Sequence, residues 1–335
     1  MMAAAPASEG PQLIVAEGQL GTRTRLAAGA NGIVWKLDQY RLPGDPRPLV
    51  FKQFQGAALA TTLPGLQTVV NKRLQLPPDR REVLDQLAAW PLCAVVGSGN
   101  APVGVLMHLI DDSFFTDFVL PSGSAGRGPR EAQHLIFAAE AARRTGVDVP
   151  ADRDLHSRLL ICAHLAYAMM IIHDAGLVYG DVSLRNILYR LHPMPAIMLV
   201  DCDAIRVRGS GAVVTQQNSP DWDAPEPGPQ SQYSDRYKVA LFILRCLTPG
   251  RGSSTNRDPA AAASVLDARG RYLMQTALTA PPPDRPTARE WSSYLRDRTG
   301  QPPLFERSPV LRPSGRQGRR PTGWTKHPNG LWVPS

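Results

Sequence analysis

The stretch that most constrains this chain runs from Asp154 to Val207. Leu155, Leu159, Cys162, Leu165, Ala166, Met169, Ile172 and His173 recur near a 3.6-residue period, which predicts a buried helix over 154–174. Asp174-Ala175-Gly176 ends it. A short apolar run, Leu177 to Tyr179, leads into Gly180-Asp181. Asn186 comes five residues later and opens Ile187-Leu188-Tyr189. After a Pro-containing turn a second apolar run, Ile197 to Val200, delivers Asp201. Any fold for this stretch must bury the helix and set an Asp, an Asn and an Asp at the ends of strands.

Asp and Asn favour turns for reasons unrelated to chemistry, so their position at strand ends has an ordinary explanation. The set also suits phosphoryl transfer from a nucleotide. That reaction needs one carboxylate to accept the proton of the attacking hydroxyl, and an amide and a second carboxylate to hold Mg²⁺.

Upstream, Leu13 begins a strand-rich region. Residues 25–37 read as strand, glycine turn and strand, 42–48 as a hairpin loop, and Leu49 to Phe54 as a third strand. Gly29-x-x-Gly32-x-Val34 can arch backbone N–H groups over phosphates, because glycine lets the backbone come close. Alone, such a pattern is as well explained by a plain hairpin. Most strand lysines are solvated, but Lys52 is flanked by Val50, Phe51 and Phe54. A glycine hairpin followed by an apolar-flanked lysine suits a nucleotide clamp.

Residues 57–90 read as helical pieces broken at Pro64 and at Pro77-Pro78, with helical spacing over Asp79 to Leu87. Leu92 to Val96 and Val103 to Leu109 read as two strands around Gly97-Ser98-Gly99-Asn100. Ser122 to Gly128 reads as a flexible loop and Glu131 to Arg144 as a helix. Further helices are expected over Asp235 to Cys246 with Ser234 as N-cap, Ala260 to Leu278, and Ala288 to Arg298. There is no internal repeat. Residues 1–12 read as disordered, 13–298 as one folded unit and 299–335 as a basic Pro/Gly/Arg-rich tail.

Composition narrows the class. Of 335 residues, 43% are hydrophobic, enough for an enzyme-sized core. The four cysteines, at 93, 162, 202 and 246, include no C-x-x-C pair, which argues against a zinc site or a disulfide framework and for a reducing, cytoplasmic setting. The N-terminus lacks the pattern of a signal peptide, and no apolar run is the roughly 18–20 residues of a membrane span. Net charge is +8, and the tail carries six basic residues against Glu306 alone. Such a tail suits nucleic acid or an acidic protein, or is simply a solvated segment.

Five features occur in one order: G-x-x-G-x-V at 29–34, Lys52, G-D-x-x-x-x-N at 180–186, D-C-D at 201–203 and A-P-E at 224–226. Ser234-Asp235 and R-P-T at 285–287 follow. The ordered set resembles the bacterial members of the eukaryotic-type protein kinase superfamily, over about residues 15–298. D-x-D in place of D-F-G is similar to one bacterial subgroup often linked to helix-hairpin-helix DNA-binding tails; no clear tail of that kind occurs here.

The resemblance implies an α+β, bilobal protein kinase-like fold. An N-terminal antiparallel β-sheet lobe would span about 13–110, and a mainly helical C-terminal lobe about 111–298. It implies ATP and Mg²⁺ (or Mn²⁺) as cofactors and transfer to Ser or Thr of an unspecified protein substrate. Asp181 would be the catalytic aspartate, and Asn186 and Asp201 would hold the metal. Lys52 would bind ATP phosphates beneath a cover formed by Gly29, Ala30, Asn31, Gly32 and Val34. Met107, His108 and Leu109, with Ile110, would form the hinge that meets adenine. Glu226 would pair with Arg285, and Asp235 would brace the loop of Asp181.

The sequence also departs from the pattern. Tyr179-Gly180 replaces His-Arg, so no pocket for an activation-loop phosphate is expected, and activity should not require phosphorylation at Ser210, Thr215 or Ser219. Ser183 stands where serine/threonine kinases keep a lysine, and Arg185 can supply positive charge in its place. Ala27 replaces the first glycine of the loop, and Asp203 replaces the glycine of D-F-G. No helical glutamate for Lys52 is evident; Glu82 is the only glutamate between Lys52 and Glu131, with Asp79 and Asp85 beside it. Cys202, beside Asp201, reads as a small buried residue or as a reactive handle. Two rival classes share parts of the pattern: small-molecule phosphotransferases of the aminoglycoside or choline kinase kind, and a pseudokinase scaffold.

Overall fold

In a β-strand, side chains alternate between the two faces of the sheet, and that alternation organises the first part of the structure, a computed structural model. It describes residues 13–29, 31–119, 125–207 and 221–300, and the backbone of two short strands at 324–326 and 332–334. The expectations for residues 1–12, for Ala30, for Ser122 to Ser124 and for Ser210, Thr215 and Ser219 lie outside the described residues, as does nearly all of the tail.

Strands β1 (Ile14–Ala16), β2 (Arg23–Gly29), β3 (Gly32–Leu37), β4 (Leu49–Phe54), β5 (Cys93–Val96) and β6 (Pro102–His108) form one sheet in the order β1-β5-β6-β4-β3-β2. All neighbours are antiparallel except β1 and β5. The sheet is therefore mixed, not antiparallel throughout as expected. The sequence between β1 and β5 is long enough for the crossover that a parallel pair needs, whereas a hairpin could only make an antiparallel one.

The two faces bury different clusters. Leu37, Leu49, Phe51, Val95 and Leu106 join Val15 and Leu20 on one side. Val50, Phe54, Ala94, Val105 and Met107 point to the other, where Leu188 and Met198 meet them. Lys52 shares the second face by its place in β4, between Val50 and Phe54.

The backbones of β4 and β6 approach closely at Gly104. A Cβ at this position would run into the Lys52 carbonyl oxygen and the Phe51 ring. Gly104→Ala is therefore expected to destabilise the chain by about 1–3 kcal/mol, as overpacking does. An unchanged urea midpoint would count against so tight an approach.

Helices α1 (Leu63–Leu74) and α2 (Pro78–Leu87) lie between β4 and β5 in sequence. Pro64 does not break α1. It sits in the first turn, where its missing N–H has no partner to lose, and the Thr62 side chain accepts from Gly65 N–H. The Arg73 guanidinium pairs with both oxygens of the buried Asp85, at 2.6 Å each, and joins the two helices. After β6 the chain makes a hairpin, β7 (Phe115–Val119) with β8 (Ala125–Pro129), where the sequence suggests a loop. The Phe118 ring covers Gly126 and Gly128 so closely that a Cβ on either would press on it. The expected helix over 131–144 is a 3-10 turn, Ala132–Ile136, followed by α3 (Ala139–Arg144).

The remaining helices are α4 (Leu155–Asp174), α5 (Gln232–Leu247), α6 (Ala268–Thr279) and α7 (Ala288–Thr299). Buried side chains of α4, α5, α6 and α7 build the largest core cluster. By length and composition α4 could cross a membrane, but 78% of its apolar window is buried inside the fold. Ser231 caps α5, and Ser234 is its capping-box partner, so the helix begins three residues before the expected Asp235. The expected helix over 260–278 is split into the turn Pro259–Ala262 and α6.

Four two-stranded pairings complete the fold. They are β7 with β8, β9 (Leu177–Val178) with β12 (Arg206–Val207), β10 (Ile187–Arg190) with β11 (Ala196–Leu199), and β13 (Trp324–Lys326) with β14 (Trp332–Pro334). The four cysteines form no disulfide.

Candidate functional site

The β10–β11 hairpin brings Asn186 and Asp201 together. Its register pairs Ile187 with Leu199, and Val200 N–H donates to Asn186 O at 3.0 Å. Asn186 and Asp201 thus flank the open end of one hairpin. The Asn186 amide donates through Nδ2 to Asp181 Oδ2 at 2.7 Å and to the Asp181 carbonyl at 3.0 Å. Asn186 therefore touches Asp181 directly.

The turn that carries Asp181 is built from both sides. Gly176, in the left-handed region (φ 75°), ends α4, and Gly180 (φ 82°) turns the chain after β9. Tyr179 is buried, and its O–H donates to Val200 O at 2.6 Å, with Asn186 O at 3.3 Å. Burial raises the phenol's pKa well above its ordinary value, so it stays protonated as a donor. Beneath the turn, fully buried Asp235 accepts from Tyr179 N–H at 2.9 Å and Gly180 N–H at 2.8 Å. The Nε2 atom of His173 lies 3.1 Å from the same carboxylate.

Lys52 reaches this site across the sheet face. Its Nζ lies 2.7 Å from Asp203 Oδ1 and 2.9 Å from Asp201 Oδ1. Burial works against its charge, but the carboxylates of Asp203 and Asp201 outweigh it and raise the Lys52 pKa. The acidic partner that the sequence leaves open is thus supplied by the D-x-D turn itself. Helix α1 contains no acidic residue, Glu82 is exposed, and Asp85 is committed to Arg73 and Arg47. Asp201 has left-handed φ and ψ of 55° and 34° and precedes a 3-10 turn over Cys202–Ala204. The side chain of Asp203 is 8% exposed and that of Asp201 47%. One carboxylate is packed against the lysine, and the other also faces solvent.

The glycine turn stands over the lysine. A Cβ on Gly32 would lie 3.4 Å from Lys52 Cγ and only 2.6 Å from Gln53 O. Asn31 O accepts from Gln55 N–H at 3.0 Å, and Gly29 has open space beside it. Val34 packs with Val50, Met107, Leu109, Leu188, Met198 and Val200 into an apolar cluster on the same sheet face. Val50, Leu188 and Val200 belong to that cluster, although the sequence motifs do not single them out. At the expected hinge, Leu109 N–H donates to Pro48 O at 2.9 Å, so that amide is committed within the fold. His108 Nε2 lies 2.8 Å from Asp45 Oδ2, and burial lowers its pKa.

Arg185 is exposed, and among the described residues it makes no hydrogen bond or ion pair; its charge acts on half-buried Glu131. Ser183 is 1% exposed, with its hydroxyl unpartnered, so it turns inward rather than toward a substrate. Cys202 is fully buried, and burial keeps its thiol protonated, which agrees with a small packed residue and not with a reactive handle. Glu226 and Arg285 form a bidentate pair at 2.8 and 2.6 Å, and Arg285 also donates to Tyr233 O.

Among the described residues no group of three His, Cys, Asp or Glu side chains is placed to hold a metal ion. Magnesium asks for less, because it keeps several waters and takes one or two carboxylates alongside phosphate oxygens. Half-exposed Asp201 meets that need. So does Asn186 Oδ1, since the amide's hydrogen bonds to Asp181 run through Nδ2. No family model matches this chain, and no curated protein is found to be similar to it.

Proposed function

We propose that the chain is an ATP-dependent protein kinase that transfers the γ-phosphoryl group to a Ser or Thr hydroxyl, with the two-lobed fold of that superfamily. The observation that carries the reading is the convergence of Lys52 from β4, Asp181 and Asn186 from one loop, and Asp201 from the turn after β11. Partly buried Val34, Leu109 and Val200, packed on the apolar cluster of Val50, Met107 and Leu188, offer a surface for a nucleotide base. The Glu226–Arg285 pair favours a protein kinase over a small-molecule phosphotransferase, because it accompanies the A-P-E segment that the latter lack.

On this reading Asp181 accepts the proton of the attacking hydroxyl, and Asn186 holds its carboxylate in place. Lys52 holds phosphate oxygens under the glycine turn, and Asp203 anchors Lys52. Asn186 Oδ1 and Asp201 would hold Mg²⁺ or Mn²⁺, which would neutralise charge on the phosphates. Little covalent work falls to the protein, so positioning and charge supply most of the rate.

The test is incubation of the purified chain with γ-labelled ATP and Mg²⁺ or Mn²⁺. Label is expected in the chain itself or in a general protein acceptor. Label in an aminoglycoside or in choline alone would move the assignment to a small-molecule phosphotransferase. Stabilisation by ATP with no transfer to any acceptor would make the chain a nucleotide-binding scaffold.

A further inference from the structure

Helix α5 carries Asp235 and Lys238 three residues apart, which places them on one face. Both reach the turn of Asp181. Asp235 takes the N–H groups of Tyr179 and Gly180. Lys238 takes the other end of the same residue, with Nζ donating to Gly180 O at 2.7 Å. Gly180 is therefore gripped through both its N–H and its C=O by a charged pair on the next helix. Lys238 also donates to Gln230 Oε1 at 2.9 Å, and Gln230 accepts from Ser234 Oγ at 3.0 Å. Gln230 lies at the end of the segment that enters α5, so Lys238 ties that segment to the turn of Asp181.

Lys238 is 0% exposed. A buried ammonium is expensive to keep charged, and a core helix position is ordinarily filled by an apolar side chain. Burial lowers its pKa, and Asp235, Asp181, Asp223 and Glu226 oppose that shift. Two other cations near the turn are placed differently. Arg185 is exposed, and Lys52 bonds to Asp201 and Asp203. Ser183 adds no polar contact. Lys238 is thus a buried cation that bonds directly to the Asp181 turn.

We propose that Lys238 is a positioning residue, whose ammonium fixes the Gly180–Asp181 peptide and couples it to Gln230, so that Asp181 is held for reaction without a phosphate added to the chain. The inference rests on the phosphoryl-transfer reading above. It assigns to α5 a cationic support for the turn of Asp181, where Tyr179-Gly180 stands.

The experiment compares the full chain, treated with phosphatase, with Lys238→Met, Lys238→Gln and Lys238→Arg. Steady-state kinetics and amide hydrogen exchange over residues 177–186 are measured on each. Lys238→Met is expected to lower kcat by about 10²-fold, the size of effect a small misplacement of a reacting group produces. KM for ATP should stay within about twofold, because ground-state nucleotide binding is untouched. Exchange at Tyr179 to Val182 should quicken by about tenfold, with the interior of α5 unchanged. Lys238→Gln keeps a donor without the charge and should shift both readouts in the same direction, by less. Lys238→Arg should recover most of both. Wild-type exchange at Tyr179 to Val182 in Lys238→Met and Lys238→Gln overturns the inference whatever the activity. So does a wild-type kcat in either variant. A wild-type chain that transfers no phosphoryl group overturns the phosphoryl-transfer reading instead, and the exchange data still decide whether Lys238 holds the turn.

Discussion

Asp181→Asn is expected to lower phosphoryl transfer by about 10²–10⁴-fold, the range that a positioned general base contributes. The fold and nucleotide binding should be unaffected. Asp181 is the carboxylate to which Asn186 donates, at 2.7 Å, and it stands outside the Lys52–Asp201–Asp203 ion cluster. Its loss removes a proton acceptor without removing a phosphate or base contact. An asparagine can turn its own amide oxygen toward Asn186 Nδ2, so the local hydrogen bond survives. The measurement is single-turnover transfer from labelled ATP, with thermal stabilisation by ADP as the control for binding. An active wild type matched by an equally active Asp181→Asn or Asp181→Ala would remove Asp181 from the mechanism.

The second large effect is on stability. Asp235→Ala should destabilise the chain by about 3–5 kcal/mol, as breaking a buried charge network does when one partner is removed. Asp235 is fully buried and satisfies two backbone N–H groups that have no water to turn to. The variant would also leave buried Lys238 without its nearest counter-charge on the same helix. Asp235→Asn retains one acceptor oxygen and should lose less. Urea unfolding followed by circular dichroism reads the difference. A wild-type midpoint for Asp235→Ala would mean that the turn of Asp181 does not depend on α5.

Much of this was legible in the sequence because it is local. The period of α4, the alternation of β4 and the motifs G-D-x-x-x-x-N at 180–186 and D-C-D at 201–203 each need only a short window. What was not legible spans long separations or inverts a propensity. The bond from Lys52 to Asp203 crosses 151 positions, and no pattern near Lys52 announces it. Lys238 belongs to no sequence motif, and its place in the core emerges only because α5 is buried on nearly every side. Glycines 126 and 128 signal a loop, yet they make room for the Phe118 ring across a strand pair. Pro64 signals a break and instead begins a helix, because the proline rule depends on position within the turn. Ser234 reads as the N-cap of α5, and only the geometry shows that Ser231 is the cap and Ser234 its capping-box partner.

The β10–β11 hairpin also says where this chain can change length. Its side chains alternate, so one residue inserted into either strand would reverse every position beyond it. Leu188 and Met198 would leave the sheet face, and Asn186 and Asp201 would no longer flank the same opening. Residues 191–195, at the closed end of the hairpin, lie four residues or more from either site side chain. Leu191 is packed in the core and Pro195 is bonded to buried His164, so a length change that leaves the site in register is best placed at exposed His192.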